Sequence, residues 1–237
     1  MANLPYSISI LSIAVIIFII TASAQPAEEL LKKVRNKLEL VNDYEAKGKL
    51  KTNVIFIKAP VASVKIYYKK PDKLKIVNEK GISLIPRGSV NISLNKFLAE
   101  VGRFDVIDAG KETGSGFRIL KLLPTDENNE IVLSTLYIDE ARLVIRKAKN
   151  TTKDNGTYEL EMSYGSYVAY SLPDKVIFSF NTKDYKLPKG VTFDYDDGTE
   201  KQRKQPDPDK LKNKKGKVEI SYSGYIINKG IPDTMFQ

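Results

Sequence analysis

Between Val64 and Val77 the chain reads VKIYYKKPDKLKIV, two short apolar runs that meet at Lys69-Lys70-Pro71-Asp72. Val64, Ile66 and Tyr68 fall on one side of an extended chain, and Leu74 and Ile76 do so on the return. Period-two alternation builds a strand with one apolar face and one wet face, so this pair belongs in a sheet covered on one side. Pro71 has no amide hydrogen to give to a ladder, which places the corner there.

The same alternation runs through most of the chain. Ala46 to Lys58 sets Lys47, Lys49 and Lys51 against Gly48, Leu50 and Thr52 before an apolar Val54–Ile57. Strands at Val61–Lys70 and Lys73–Lys80 follow almost without linker, which predicts an antiparallel meander. Further strands are predicted at Phe104–Asp108, Gly116–Leu123, Ile131–Ile138 and Arg142–Lys149, with turn residues between them. Lys153-Asp154-Asn155-Gly156 is a hairpin signal. Beyond it Tyr158, Leu160, Met162 and Tyr164 alternate with Glu159, Glu161 and Ser163, then Val176, Phe178 and Phe180 alternate in turn. Lys217–Asn228 closes the series with Val218, Ile220 and Tyr222 on one face.

Two helices are predicted. Pro26–Asn42 carries Leu30, Leu31, Val34, Leu38 and Val41 at helical spacing, with Glu28 and Glu29 expected in the first turn, where the positive helix end favours them. Ser93–Val101 is expected to be a short helix capped by Ser93. Many strands and few helices argue for one antiparallel all-β or α+β domain without internal repeats.

The chain has 237 residues, no cysteine and no histidine. That removes disulfides, thiolate nucleophiles, histidine bases, serine–histidine triads and most transition-metal sites, and favours binding over catalysis. Ile8–Ala24 is uncharged and mostly apolar and ends in Ala22-Ser23-Ala24, a signal-peptide cleavage pattern. Cleavage after Ala24 leaves a domain over 25–237 exported to the periplasm. The other reading is an uncleaved membrane anchor, since 2–27 is uncharged throughout. The formal charge of +9 lies entirely beyond residue 24. For an exported protein that points to an anionic lipid surface or an acidic partner rather than nucleic acid. A charged loop over about 196–217 carries much of it; its few aromatics argue against single-stranded nucleic acid, leaving a solvated loop or a phospholipid-docking segment.

Candidate catalytic and metal groups do not accumulate. Asp194-Tyr195-Asp196-Asp197-Gly198 resembles a calcium loop only at its start, because the sixth and twelfth positions are Thr199 and Gln205. Glu159 and Glu161 share a polar strand face and read as solvated. Asn91, Asn150 and Asn155 each begin a glycosylation sequon.

The order of helix, strands, strand–basic–Pro–strand, short helix and further strands is similar to the LolA/LolB-like periplasmic lipoprotein carriers, the outer-membrane lipoprotein-sorting proteins. The pieces that carry the resemblance are LKKVRNKLELVNDYEAKGKL, VKIYYKKPDKLKI and LPKGVTFDY. The resemblance implies an α+β, mostly β fold, an incomplete curved antiparallel barrel under a helical lid. It implies no enzyme activity and no cofactor or metal. It also implies an apolar cavity for the acyl chains of lipoproteins or for lipids, an inner-membrane release complex and an outer-membrane acceptor as partners, and a monomer. The expected cavity residues are Leu50, Val64, Ile66, Tyr68, Leu74, Ile76, Tyr158, Leu160, Met162, Val176 and Phe178. Where the family has Arg before the proline this chain has Lys70, and Lys70 with Pro71 is the expected latch, donating to the carbonyls at the helix C-terminus. A lipid-sensing or structural envelope domain of the same fold is the alternative, and a secreted hydrolase a third.

Overall fold

A computed structural model describes residues 24–53, 61–71, 73–78, 104–154, 156–181 and 215–236. The Ser93–Val101 helix, the leader up to residue 23, the charged loop up to residue 214, and Asn91, Asn155 and Asp194 lie outside these residues.

The first helix, α1, spans Ala24–Leu38. Pro26 sits in its first turn, where an amide hydrogen has no intrahelical partner to lose. Because the helix begins at Ala24, the first turn holds no acidic residue, and Glu28 and Glu29 fall beyond it, contrary to the expectation from sequence. Glu29 pairs instead with Lys33, one turn on, at 2.8 Å. Arg35 and Lys37 occupy the last turn, the negative end of the helix. The helix stops at Leu38 rather than Asn42, and Val41 is buried in the connection to the first strand. Leu31 and Val34 of the predicted stripe have no exposed surface and Leu30 and Leu38 pack half-buried beside them; Ala27, outside the predicted stripe, is buried with them.

Ten strands follow among the described residues: β1 (Asp43–Asn53), β2 (Ala62–Lys69), β3 (Lys73–Asn78), β4 (Phe104–Lys111), β5 (Arg118–Pro124), β6 (Ile131–Asp139), β7 (Val144–Thr152), β8 (Thr157–Ser163), β9 (Lys175–Asn181) and β10 (Lys215–Ile227). They form one antiparallel sheet in the order β3-β2-β1-β10-β9-β8-β7-β6-β5-β4. Among the described residues the sheet is open, with β3 and β4 at its two edges. Every strand pair is consecutive in sequence except β1 with β10. The fold is therefore mostly β with one helix among the described residues.

Register aligns the apolar positions into rows across the strands. Thr52, Val218, Phe178, Leu160, Ala148, Leu136 and Leu120 stand side by side from β1 to β5. Phe180, Tyr158, Asn150, Ser134 and Leu122 form the next row. The inner face these rows make is the core, and α1 packs on it through Ala27, Leu31 and Val34.

At the β1–β10 join the pairing slips between Lys47 and Gly48, leaving Ser223 as an extra residue in β10. The backbones approach closely here: a β-carbon on Gly48 would lie 2.6 Å from the Ser221 carbonyl oxygen. Gly48→Ala is expected to cost about 1–3 kcal/mol, the usual penalty of overpacking. A urea titration should show a lower midpoint at unchanged slope; an unchanged midpoint would mean that the two strands have room to part.

Candidate functional site

Under α1, Leu160, Met162 and Phe178 join the buried cluster contributed by β4 to β9, and Tyr158 and Val176 pack against it. The rings of Tyr158 and Phe178 lie 5.5 Å apart and those of Phe178 and Phe180 5.2 Å apart, within the range of favourable aromatic pairs. One polar group interrupts this face. Ser134 and Asn150 are both buried, and the Ser134 hydroxyl donates to Asn150 Oδ1, while Tyr158 is hydrogen-bonded to Asn150. Asn150 therefore points into the protein, which withdraws it as a glycosylation acceptor.

The remaining expected residues form a second cluster on β1 to β3. Val64, Ile66 and Ile76 are buried there with Ala46, and Leu50 and Leu74 pack on them. Tyr68 is buried and stacks on Tyr44, ring centres 5.2 Å apart. Tyr225 meets Tyr44, Tyr222 and Tyr167 at 5.3, 5.1 and 5.0 Å. The Tyr225 hydroxyl donates to the Pro173 carbonyl at 2.6 Å. The structure thus places the expected cavity residues on one face but in two packed groups. A hollow of about 430 Å³ elsewhere on β1, β2 and β10 touches Val64 alone among them.

Lys70 lies at the β2–β3 corner, before a cis Pro71. Its ammonium donates to the Glu39 carbonyl at 2.6 Å, in the turn that ends α1, and its amide donates to the Asn42 carbonyl at 2.8 Å. The same junction is held from the other side. Asn228 Oδ1 accepts from the Asn42 amide at 2.7 Å, and its side-chain amide donates to the Leu40 carbonyl at 2.8 Å. The buried Asp43 carboxylate accepts from the Lys229 and Gly230 amides at 3.1 and 3.0 Å. On its far side, α1 is tied by Lys37, whose ammonium donates to the Arg142 carbonyl at 2.5 Å. Burial of that ammonium lowers its pKa, with Asp139 opposing.

No family model and no curated protein matches the chain. Solved structures do. A candidate outer membrane lipoprotein-sorting protein domain from Vibrio parahaemolyticus superposes with a TM-score of 0.56 at 9% identity, covering 90% of this chain and 97% of that one. The fold is LolA-like. A LolA superfamily protein from Nitrosomonas europaea agrees, with a TM-score of 0.51 at 11% identity over 89% and 97% of the two chains. So does a DUF1329 family protein from Desulfovibrio piger, with a TM-score of 0.52 at 12% identity over 92% and 98%. At these identities the likeness establishes the LolA-like architecture and leaves each side chain to be argued from its own surroundings.

Sequence reasoning missed Tyr44, Tyr225 and Asn228. Tyr44 precedes the stretch where β1 alternation was read, and Tyr225 lies past the bulge that shifts the phase of β10. Asn228 has a positive φ of 55°, a conformation in which Asn is enriched and the one local signal it gave.

The tyrosine group carries its own pH dependence. Burial pushes the Tyr222 hydroxyl up to about 12, with the Tyr44 hydrogen bond opposing. Burial, with Tyr222 and Tyr68 close by, pushes Tyr44 well above the usual phenol range. Unfolded tyrosines ionise near pH 10. Above that pH the unfolded state sheds protons that the folded state retains, so stability is full below about pH 10 and falls as pH rises through the folded values. An alkaline titration followed by tyrosinate absorbance should find phenols that ionise only as the far-ultraviolet dichroism is lost. Complete ionisation with the dichroism intact would contradict this.

Proposed function

We propose that the chain is a periplasmic carrier that holds the acyl chains of lipoproteins, or lipids, between the inner face of its sheet and α1, and conveys them towards the outer membrane. The observation that supports this reading is the apolar inner face in two groups, one of them covered by a helix that is tied to the sheet by the ammonium of Lys37 and, in the turn that follows it, by Lys70 and Asn228. The name given to the Vibrio parahaemolyticus domain, lipoprotein sorting, points the same way. On this reading α1 is a lid, Leu160, Met162, Phe178, Val64 and Ile66 line the space that opens beneath it, and Lys70 is the latch. An inner-membrane donor and an outer-membrane acceptor are the partners such traffic requires. Native mass spectrometry of protein purified from its own envelope tests the reading: co-purified acylated protein or lipid supports it. Protein that stays empty, and takes up no fluorescent fatty acid, would sink it. Free lipid held without release to acceptor vesicles would favour a lipid-sensing domain instead.

The latch has a separate readout. A charge-assisted bond to a carbonyl, partly screened by solvent, contributes about 1–2 kcal/mol. Removing it raises the open population by about fivefold to thirtyfold. Lys70→Leu should therefore speed amide exchange across α1 by that factor without changing the fold, and Lys70→Arg, with its planar fork of donors, should slow it. Equal protection in both variants would show that Lys70 does not govern the helix.

A further inference from the structure

The outer face of β1 to β3 presents lysines directly across the strands from one another. Lys69 stands opposite Lys73, and Lys47 stands opposite Lys65. Like charges at directly opposed positions, with β-carbons about 5 Å apart, destabilise a sheet. The first pair is neutralised within the chain. Asp233, in the 3-10 turn Asp233–Phe236 that folds back over this face, accepts from Lys69 at 2.8 Å and from Lys73 at 3.0 Å.

The second pair has no such carboxylate. Lys47, Lys49 and Lys65 make no ion pair with the described residues, and Lys51 differs from them in standing opposite Glu219. Lys49 lies between Ser63 on β2 and Ser221 on β10. The hydroxyls of Ser63 and Ser221 have no hydrogen-bond partner among the described residues, whereas Ser223 donates to the Lys47 carbonyl at 3.1 Å. These side chains surround the hollow of about 430 Å³ at the β1–β10 bulge, which Gly48, Val64 and Tyr222 help to line.

We propose that Lys47, Lys49 and Lys65 form a binding site for a phosphate-type oxyanion, which takes between Lys47 and Lys65 the place that Asp233 takes between Lys69 and Lys73. Ammonium groups supply the charge and the two serine hydroxyls supply further donors, the combination that tetrahedral oxyanions take. The bound group is either free phosphate or the phosphate of an anionic lipid headgroup. The site lies on the opposite face of the sheet from the apolar core and stands independently of the carrier reading.

The test uses the whole chain, the double variant Lys47→Gln/Lys65→Gln, and Lys51→Gln as the control. Inorganic phosphate is titrated at an ionic strength held constant with chloride, so that screening of the lysines is the same throughout. The double variant should fold with a urea midpoint equal to or above that of the parent chain, since it removes an opposed like-charge pair. In the free-phosphate case, phosphate raises the melting temperature of the parent and of Lys51→Gln, and the double variant loses at least tenfold in affinity. In the headgroup case, vesicles of phosphatidylglycerol in phosphatidylcholine bind the parent and Lys51→Gln at least tenfold better than the double variant, without a response to free phosphate. Either result supports the site. The same behaviour from the double variant and Lys51→Gln in both assays, or no binding by the parent in either, overturns it.

Discussion

Among the described strands, the pairing of β1 with β10 is the one ladder that chain proximity does not bring about. Asp43–Asn53 must find Lys215–Ile227 across nearly the whole sequence, and the other strand pairs follow in succession. Contacts of that separation close a long loop before they return any energy, so they must be specified strongly. Two devices at the end of the ladder do this. Asn228 bridges the β1 entry from outside, and the Asp43 carboxylate gathers two amides of the chain leaving β10. With the join made, a three-strand unit and a seven-strand meander share one inner face, and the turn after α1 is fixed beside the β2–β3 corner. Everything proposed for α1 depends on that placement.

How much of this was legible in the sequence follows from the same distinction between local and long-range order. Alternation gave the strands and their faces: Val64, Ile66 and Tyr68 are buried together, as are Leu160 and Met162. It could not give the β1–β10 partnership, because nothing local marks one strand as the neighbour of another so far away. Nor could it foresee that the bulge at Ser223 would shift the phase of β10 and bring Tyr225 inward beside Tyr222. The helix stripe was readable from spacing, but its start was not, since Pro26 is tolerated anywhere in a first turn. Asn150 shows the limit of motif reading: a surface signature by sequence, it is a buried hydrogen-bonding group by register.

The two faces of the sheet handle polarity in opposite ways. Inside, Ser134, Asn150 and Tyr158 satisfy one another, so an apolar face can carry polar groups without an unpaired donor beneath the helix. Outside, lysines crowd β1 to β3, and the C-terminal turn folds back to neutralise part of them. Lys69 donates to the Ile231 carbonyl at 2.9 Å and Lys75 to the Met235 carbonyl at 2.7 Å, in addition to the Asp233 pairs. The charge left over on Lys47, Lys49 and Lys65 therefore belongs to a face where the chain has already answered the same problem once.

If the inner face is a carrier's, as proposed, the energetics favour a resting state filled by the helix over an empty one. Burying an acyl chain contributes about 0.8 kcal/mol per methylene, so several chains in a dry, rigid cavity would bind more tightly than release allows. Here Leu31 and Val34 of α1 are fully buried, in one cluster with Leu160, Met162 and Phe178. On the carrier reading, cargo enters by displacing those helix contacts, and only the difference between protein–cargo and protein–helix packing appears as affinity. Methionine suits such a surface, because its unbranched thioether repacks against either partner. On that same reading the tie at Lys70 would set how often the exchange is offered, and the apolar match between α1 and the sheet would set how readily the cargo is given up.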